Sequence, residues 1–194
     1  MTNPMTEPAP LFPCLQELHD AASRAGLVVS ASASWPETDD DSEITPLAGF
    51  IESTFSPLIA QVAVRVLERR DRPRPGRTTA IVIVTALGDV TSATRVAAAV
   101  DRGERIFPLL FFQSVPNAVV GYLAARWHLT GPVVCVSATS AGLDVAALLI
   151  ADADADDALV VRVDLAATSG DSDRAAAILV TGPVTRNDGD SHEL

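Results

Sequence analysis

The chain has 194 residues, 48% of them apolar and 20% charged, with a formal net charge of −11. That composition supports a packed core of one-domain size and excludes wholesale disorder. Acidic residues outnumber basic ones 25 to 14, and every basic residue is Arg, so there is no footprint for nucleic acid and no lysine for a Schiff base, a P-loop or a pyridoxal cofactor.

Residues 1–12 are proline-rich and are expected to be a loose N-terminus, with no signal-peptide pattern. Pro13 to Ala25 reads as a helix, with Leu15, Leu18 and Ala22 on one face and Gly26 ending it. Leu27 to Ala33 reads as a strand. The acidic run Glu37 to Glu43 is expected to be a solvated loop. Ser56 to Arg70 is a second helix, with Ile59, Val62, Ala63, Val66 and Leu67 as its apolar stripe. Five Arg then fall in Arg69–Arg77. A proline-stiffened, solvated linker is the simpler reading of that cluster, and a contact with an acidic partner the sharper one.

Thr78 to Ala86 is nearly all β-branched or small, which suits a strand buried on both faces. Helix follows over Val90 to Asp101, an aromatic loop over Phe107 to Gln113, and helix over Val115 to Trp127. The uncharged run Ile106 to Ala125 is long enough to span a membrane, but Pro108, Gln113, Ser114, Pro116 and Asn117 favour a buried loop and helix. Val133 to Ala138 reads as another buried strand and Ser140 to Ala151 as a helix. Ala158 to Ala166 and Ala175 to Val184 are closing strands around a turn at Thr168 to Ser172, so the last strand should run antiparallel. Helices alternating with buried strands give an α/β layer fold. One domain is expected over 13–185, with a polar, frayed tail at 186–194.

Several constellations could carry chemistry. Asp152 to Asp157 is an acidic run, but an EF-hand frame starting at Asp152 puts Asp157 where Gly is needed and Val163 where the bidentate Glu is needed. A solvated turn is the better reading, and no metal is expected. Val133 to Leu143 reads as strand, tight turn and helix start, the geometry of a nucleophile elbow with Ser140 at its tip. His19, His128 and His192 assemble no credible triad with it. Helix capping by Thr139 or Ser140 is the simpler role. Cys14 and Cys135 are too far apart for a metal or disulfide pattern, which points to a reduced, cytoplasmic protein. Cys135 should be a buried, inert thiol.

Phe111-Phe112-Gln113-Ser114-Val115-Pro116-Asn117, then Gly121, then Leu129-Thr-Gly-Pro132, then Val136-Ser-Ala-Thr-Ser-Ala-Gly-Leu143 resembles a β-ketoacyl synthase. In that family a Phe-rich loop leads to Asn, Gly, Gly-Pro and the nucleophilic Cys. The intervals Asn117 to Gly121, Gly121 to Gly131 and Pro132 to Ser140 reproduce it, and the resemblance covers roughly residues 27–166. It implies half of a thiolase fold: a three-layer α/β domain whose mostly parallel, five-stranded sheet has the order 3-2-1-4-5, the last strand antiparallel.

Two departures bear on function. The nucleophile position holds Ser140, or Thr139 when counted back from Gly142, and neither is a thiol. The second half of the fold, which supplies a synthase's two His, has no counterpart within these residues. Ser140-Ala-Gly-Leu-Asp144 is similar to the Ala-Gly-Gly-Leu-Asp of chain-length-factor subunits, with one Gly fewer.

The resemblance therefore implies a non-catalytic, chain-length-factor-like accessory protein of polyketide or fatty-acid-like biosynthesis. It would act in a homo- or hetero-oligomer, with a full-length β-ketoacyl synthase and an acyl carrier protein as partners and no cofactor, nucleic acid or membrane. The rivals are an acyl transferase or thioesterase using Ser140 or Thr139, and a degenerate scaffold domain. By the same resemblance Phe111, Phe112, Gln113 and Asn117 would shape an acyl tunnel, and Gly121 with Val133, Val134, Cys135 and Val136 would form the interface.

Overall fold

A computed structural model describes residues 13–38, 40–70, 76–105, 108, 112, 115–166 and 172–183. The elements are α1 (Pro13–Arg24), β1 (Val28–Trp35), α2 (Phe55–Arg69), β2 (Thr79–Val84), α3 (Val90–Asp101), α4 (Ala118–Trp127), β3 (Val133–Val136), α5 (Thr139–Ala151), β4 (Asp157–Asp164) and β5 (Arg174–Thr181). The expected loose ends at 1–12 and 186–194, and most of the turn at 168–172, lie outside the described residues.

The five strands form one mixed sheet in the order β1-β5-β4-β2-β3. β2 runs parallel to both β3 and β4, and β5 runs antiparallel to both β4 and β1. The α/β class and the antiparallel last strand agree with the sequence reading, but the strand order 3-2-1-4-5 does not. β2 pairs directly with β4 along Thr79 to Val84, which leaves no place for β1 between them. β1 lies instead on the free side of β5, at the far edge of the sheet.

Alternation along the central strands feeds two cores. Ile81, Ile83, Leu159 and Val161 face α2 and α4 with Phe55, Leu58 and Leu123. Ala80, Val82, Val84, Ala158 and Val160 face α1 and α5 with Leu15, Leu18, Leu143 and Ala146. Strands covered on both faces need unbroken apolar runs, which is why β2 is buried at every position. Two glycines allow the closest approaches. A Cβ on Gly131 would collide with the Thr79 carbonyl, and one on Gly142 would come within 2.7 Å of a Val84 methyl.

α3 starts where Asp89 accepts from the Ser92 amide at 3.0 Å and from the Ser92 hydroxyl at 2.7 Å, a capping arrangement. Only Ser92 of α3 is buried. Among the described residues no helix is long and apolar enough to cross a membrane.

Both charged stretches are built into the fold. Glu37 and Asp41 pair with Arg69 and Arg65, so the acidic segment is tied to α2 rather than freely solvated. Arg70 stacks over Trp127 and Arg77 pairs with Asp157 at 2.9 Å. Three of the five clustered Arg are therefore used within the chain, and Arg72 and Arg74 lie outside the described residues. Asp157 is buried and the Asp156 carboxylate accepts from the Thr78 amide at 2.7 Å, so the second acidic run is a structural turn.

Candidate functional site

An open cleft of about 320 Å³ lies at the C-terminal ends of β2, β3 and β4, beside α1 and the first turn of α5. This is where open parallel sheets place ligand sites. Ser137, Ala138, Thr139 and Ser140 form one wall, and Glu17, Arg24, Arg162 and Asp164 face them.

Strand, turn and helix follow as expected over 133–151, but the turn is not an elbow. Ala138 is the N-cap in an extended conformation, with no side-chain cap bond, so neither Thr139 nor Ser140 caps the helix. Residues 137–140 are absent from the left-handed region. Thr139 is buried, whereas Ser140 is exposed.

Arg162 organises the cleft. Its Nη1 donates to the Glu17 carboxylate and, at 3.1 Å, to the Thr139 hydroxyl, while its Nε donates to Asp164 at 2.8 Å. Burial disfavours the guanidinium charge, but the Glu17 and Asp164 carboxylates outweigh it, and the Arg162 pKa is raised. The hydrogen bond from Arg162, helped by the Thr139 hydroxyl, lowers the Glu17 pKa. A carboxylate held this way is a weak base, and a hydroxyl accepting from a guanidinium is a weak nucleophile. Among the described residues no His lines the cleft. Cys14, behind it, is buried with its pKa raised by that burial, the opposite of an activated thiol. No group of three or more His, Cys, Asp or Glu among the described residues could hold a metal.

Arg162, Glu17 and Asp164 were not singled out by the sequence reading. The available signal was the lone Arg inside the apolar run Ala158 to Val163, since a charge in a buried strand needs partners.

The residues assigned to an interface do not line the cleft. β3 is the sheet edge opposite β1, and it is not the buried strand expected. Val133 is 42% exposed and Cys135 is exposed, while Val134 and Val136 are half-buried. Cys135 is thus a surface thiol, with its pKa raised by partial desolvation. Gly121 is exposed on α4 with open space around it, and Asn117 is exposed at the start of that helix. Phe112 is 61% exposed; Phe111 and Gln113 lie outside the described residues. Leu87, Val100 and Val115 are further exposed apolar side chains. Gly88 and Pro116 are close neighbours, which brings the Leu87 and Val115 segments together.

No family model matches the chain, and no curated protein matches it. Solved structures do. A chain of the ketosynthase ApeO in complex with its chain length factor ApeC, from Xenorhabdus doucetiae, aligns with a TM-score of 0.63 at 19% identity, over 81% of this chain and 79% of that one. A chain of the ishigamide ketosynthase/chain length factor aligns with a TM-score of 0.60 at 18% identity, over 78% of this chain and 50% of that one.

The chain has the β-ketoacyl synthase-like fold. It spans about half the length of the ishigamide chain. Within this synthase-like fold, the cleft at Thr139 and Ser140 occupies the turn where the sequence resemblance places the synthase nucleophile.

Proposed function

We propose that this chain is a chain-length-factor-like partner of a full-length β-ketoacyl synthase, without condensing activity of its own, in polyketide or fatty-acid-like biosynthesis. The observation that carries the proposal is the apolar β3 edge, which has no pairing strand on its outer side among the described residues and exposes Val133 and Cys135. An apolar edge strand with exposed side chains of its own calls for a partner. The resemblance supplies the partner's class, because synthases pair across the corresponding strand.

The cleft supports the non-catalytic half of the reading. Condensation needs a thiolate to carry the acyl group and donors for the developing enolate oxygen. Thr139 and Ser140 offer hydroxyls, one of them bound to Arg162. The acyl-carrier-bound chain would then be held by the synthase, and Phe112 with Asn117 would help shape its tunnel. Cytoplasmic residence and independence from cofactors go with this role.

Co-expression with a full-length β-ketoacyl synthase from the same genome tests the reading. The two chains should co-purify, and Val134→Lys should separate them, because an unpaired charge buried in an interface is strongly unfavourable. Co-purification that survives Val134→Lys in a folded variant would place the interface elsewhere. A covalent acyl adduct on Thr139 or Ser140 after incubation with an acyl-carrier thioester would favour the acyltransferase or thioesterase reading.

A further inference from the structure

The sheet has two edges, and they are finished differently. β3 is bare. β1, Val28–Trp35, has β5 on one side only, and its other side carries two arginines. Arg69 Nη1 donates to the Ser32 carbonyl and Arg65 Nη1 to the Ser34 carbonyl, both at 2.8 Å. Ser32 and Ser34 are two residues apart, so their carbonyls leave the strand on the same side.

The spacings match. Arg65 and Arg69 are one helical turn apart, about 6 Å along α2. Two residues of strand cover about 6.7 Å. A single helix face can therefore serve two successive outward carbonyls.

Each guanidinium is also locked from behind. Arg65 makes paired 2.8 Å bonds with Asp41, and Arg69 makes paired 2.6 Å bonds with Glu37. The Glu37 backbone amide donates to the Asp41 carboxylate at 2.7 Å, which ties the two residues together. Bidentate arginine–carboxylate pairs fix orientation as well as charge.

What lies under this arrangement is a strand suited to self-pairing. Val-Val-Ser-Ala-Ser-Ala-Ser-Trp has no charge and no proline. Its small alternating side chains would let a second copy of the same strand approach closely, and nothing in its own sequence blunts the edge.

We infer that Arg65 and Arg69, braced by Asp41 and Glu37, form a latch that closes the β1 edge to strand addition by a second copy of this chain. Among the described residues the latch leaves β3 as the edge open to a partner. It also gives the acidic segment after β1 and the basic end of α2 a shared purpose.

The test is the full-length chain carrying Arg65→Ala and Arg69→Ala, with its mass followed by light scattering over a range of concentrations and its fold by circular dichroism. The folded double variant should form concentration-dependent dimers and larger species beyond those of wild type. Adding Ser32→Pro should return it to the wild-type mass, because proline removes an outward amide donor from the edge while leaving the side paired with β5. Wild-type mass in the folded double variant would overturn the latch, as would self-association that Ser32→Pro leaves intact. Should the alanine variant fail to fold, Arg65→Lys with Arg69→Lys decides. An ammonium cannot make the forked contact to carboxylate and carbonyl together, so growth in mass is expected, and its absence overturns the proposal.

Discussion

Arg162, inside β4, donates to the Thr139 hydroxyl at 3.1 Å across the cleft. The same guanidinium binds Glu17 on α1 and Asp164 at the end of its own strand. One charge thus joins the first helix, the fourth strand and the start of α5, and it occupies the hydroxyl that a Thr139-based enzyme would need free.

Arg162→Met should leave Glu17 and Asp164 without their partner. The group is mostly buried but reaches water, so a loss of about 1–2 kcal/mol in urea denaturation is expected. Mass spectrometry after incubation with an acyl-carrier thioester should still show no adduct on Thr139, since a freed Glu17 is an ordinary, half-exposed carboxylate and too weak a base to activate a hydroxyl.

Glycine substitution should discriminate the two close approaches. Gly142→Ala pushes a methyl against Val84, which a side-chain shift can absorb, for an expected cost of about 1–3 kcal/mol. Gly131→Ala meets the Thr79 backbone, which cannot shift without disturbing β2. Its melting temperature should fall further than that of Gly142→Ala, and the reverse order would contradict the packing described.

The Asp41 carboxyl, ordinarily at 3.8, is held at about 2 by the Arg65 hydrogen bonds. A depressed carboxyl contributes stability that is complete above its unfolded value and lost as pH falls through the folded one. Asp41→Asn should therefore cost on the order of 1 kcal/mol at neutral pH, modest because the pair lies near water. The gap to wild type should close between about pH 4 and pH 2. Urea denaturation at stepped pH measures it, and a gap that does not change with pH would exclude this origin.

Phe112→Ala should change stability by less than about 0.5 kcal/mol, as a surface substitution does. Phe55→Ala, at a fully buried site, should cost about 3–5 kcal/mol. In a complex with the synthase, Phe112→Ala should shift the length of carrier-bound products, read by mass analysis. An intact complex with unchanged products would leave this Phe without a role in the tunnel.

Local signals in the sequence were strong where local physics decides. The β-branched run of β2 could only be a strand covered on both faces, and α3 has the boundaries expected of it, Val90 to Asp101. What could not be read, beyond the antiparallel β4–β5 pair, was which strands are neighbours. β1 carries Ser at alternate positions, compatible with the centre or the edge of a sheet, and its place follows from β2 taking β4 directly. Cys135 failed for the same reason: an apolar strand at an edge reads like one in the middle. Arg65 with Asp41, and Arg162 with Glu17, join residues far apart in sequence. No periodicity announces such pairs, although a lone Arg in a buried strand does announce that a partner exists.

Cys135 offers the most direct measurement of the central claim, because it sits on the β3 edge while the other cysteine, Cys14, is buried. Iodoacetamide labelling of the free chain at mildly alkaline pH should modify Cys135 and spare Cys14. With the synthase added and complex formation verified by light scattering, labelling of Cys135 should be suppressed. A complex in which Cys135 is labelled as fast as in the free chain would contradict pairing through β3, and no complex with the synthase would contradict the proposed function itself.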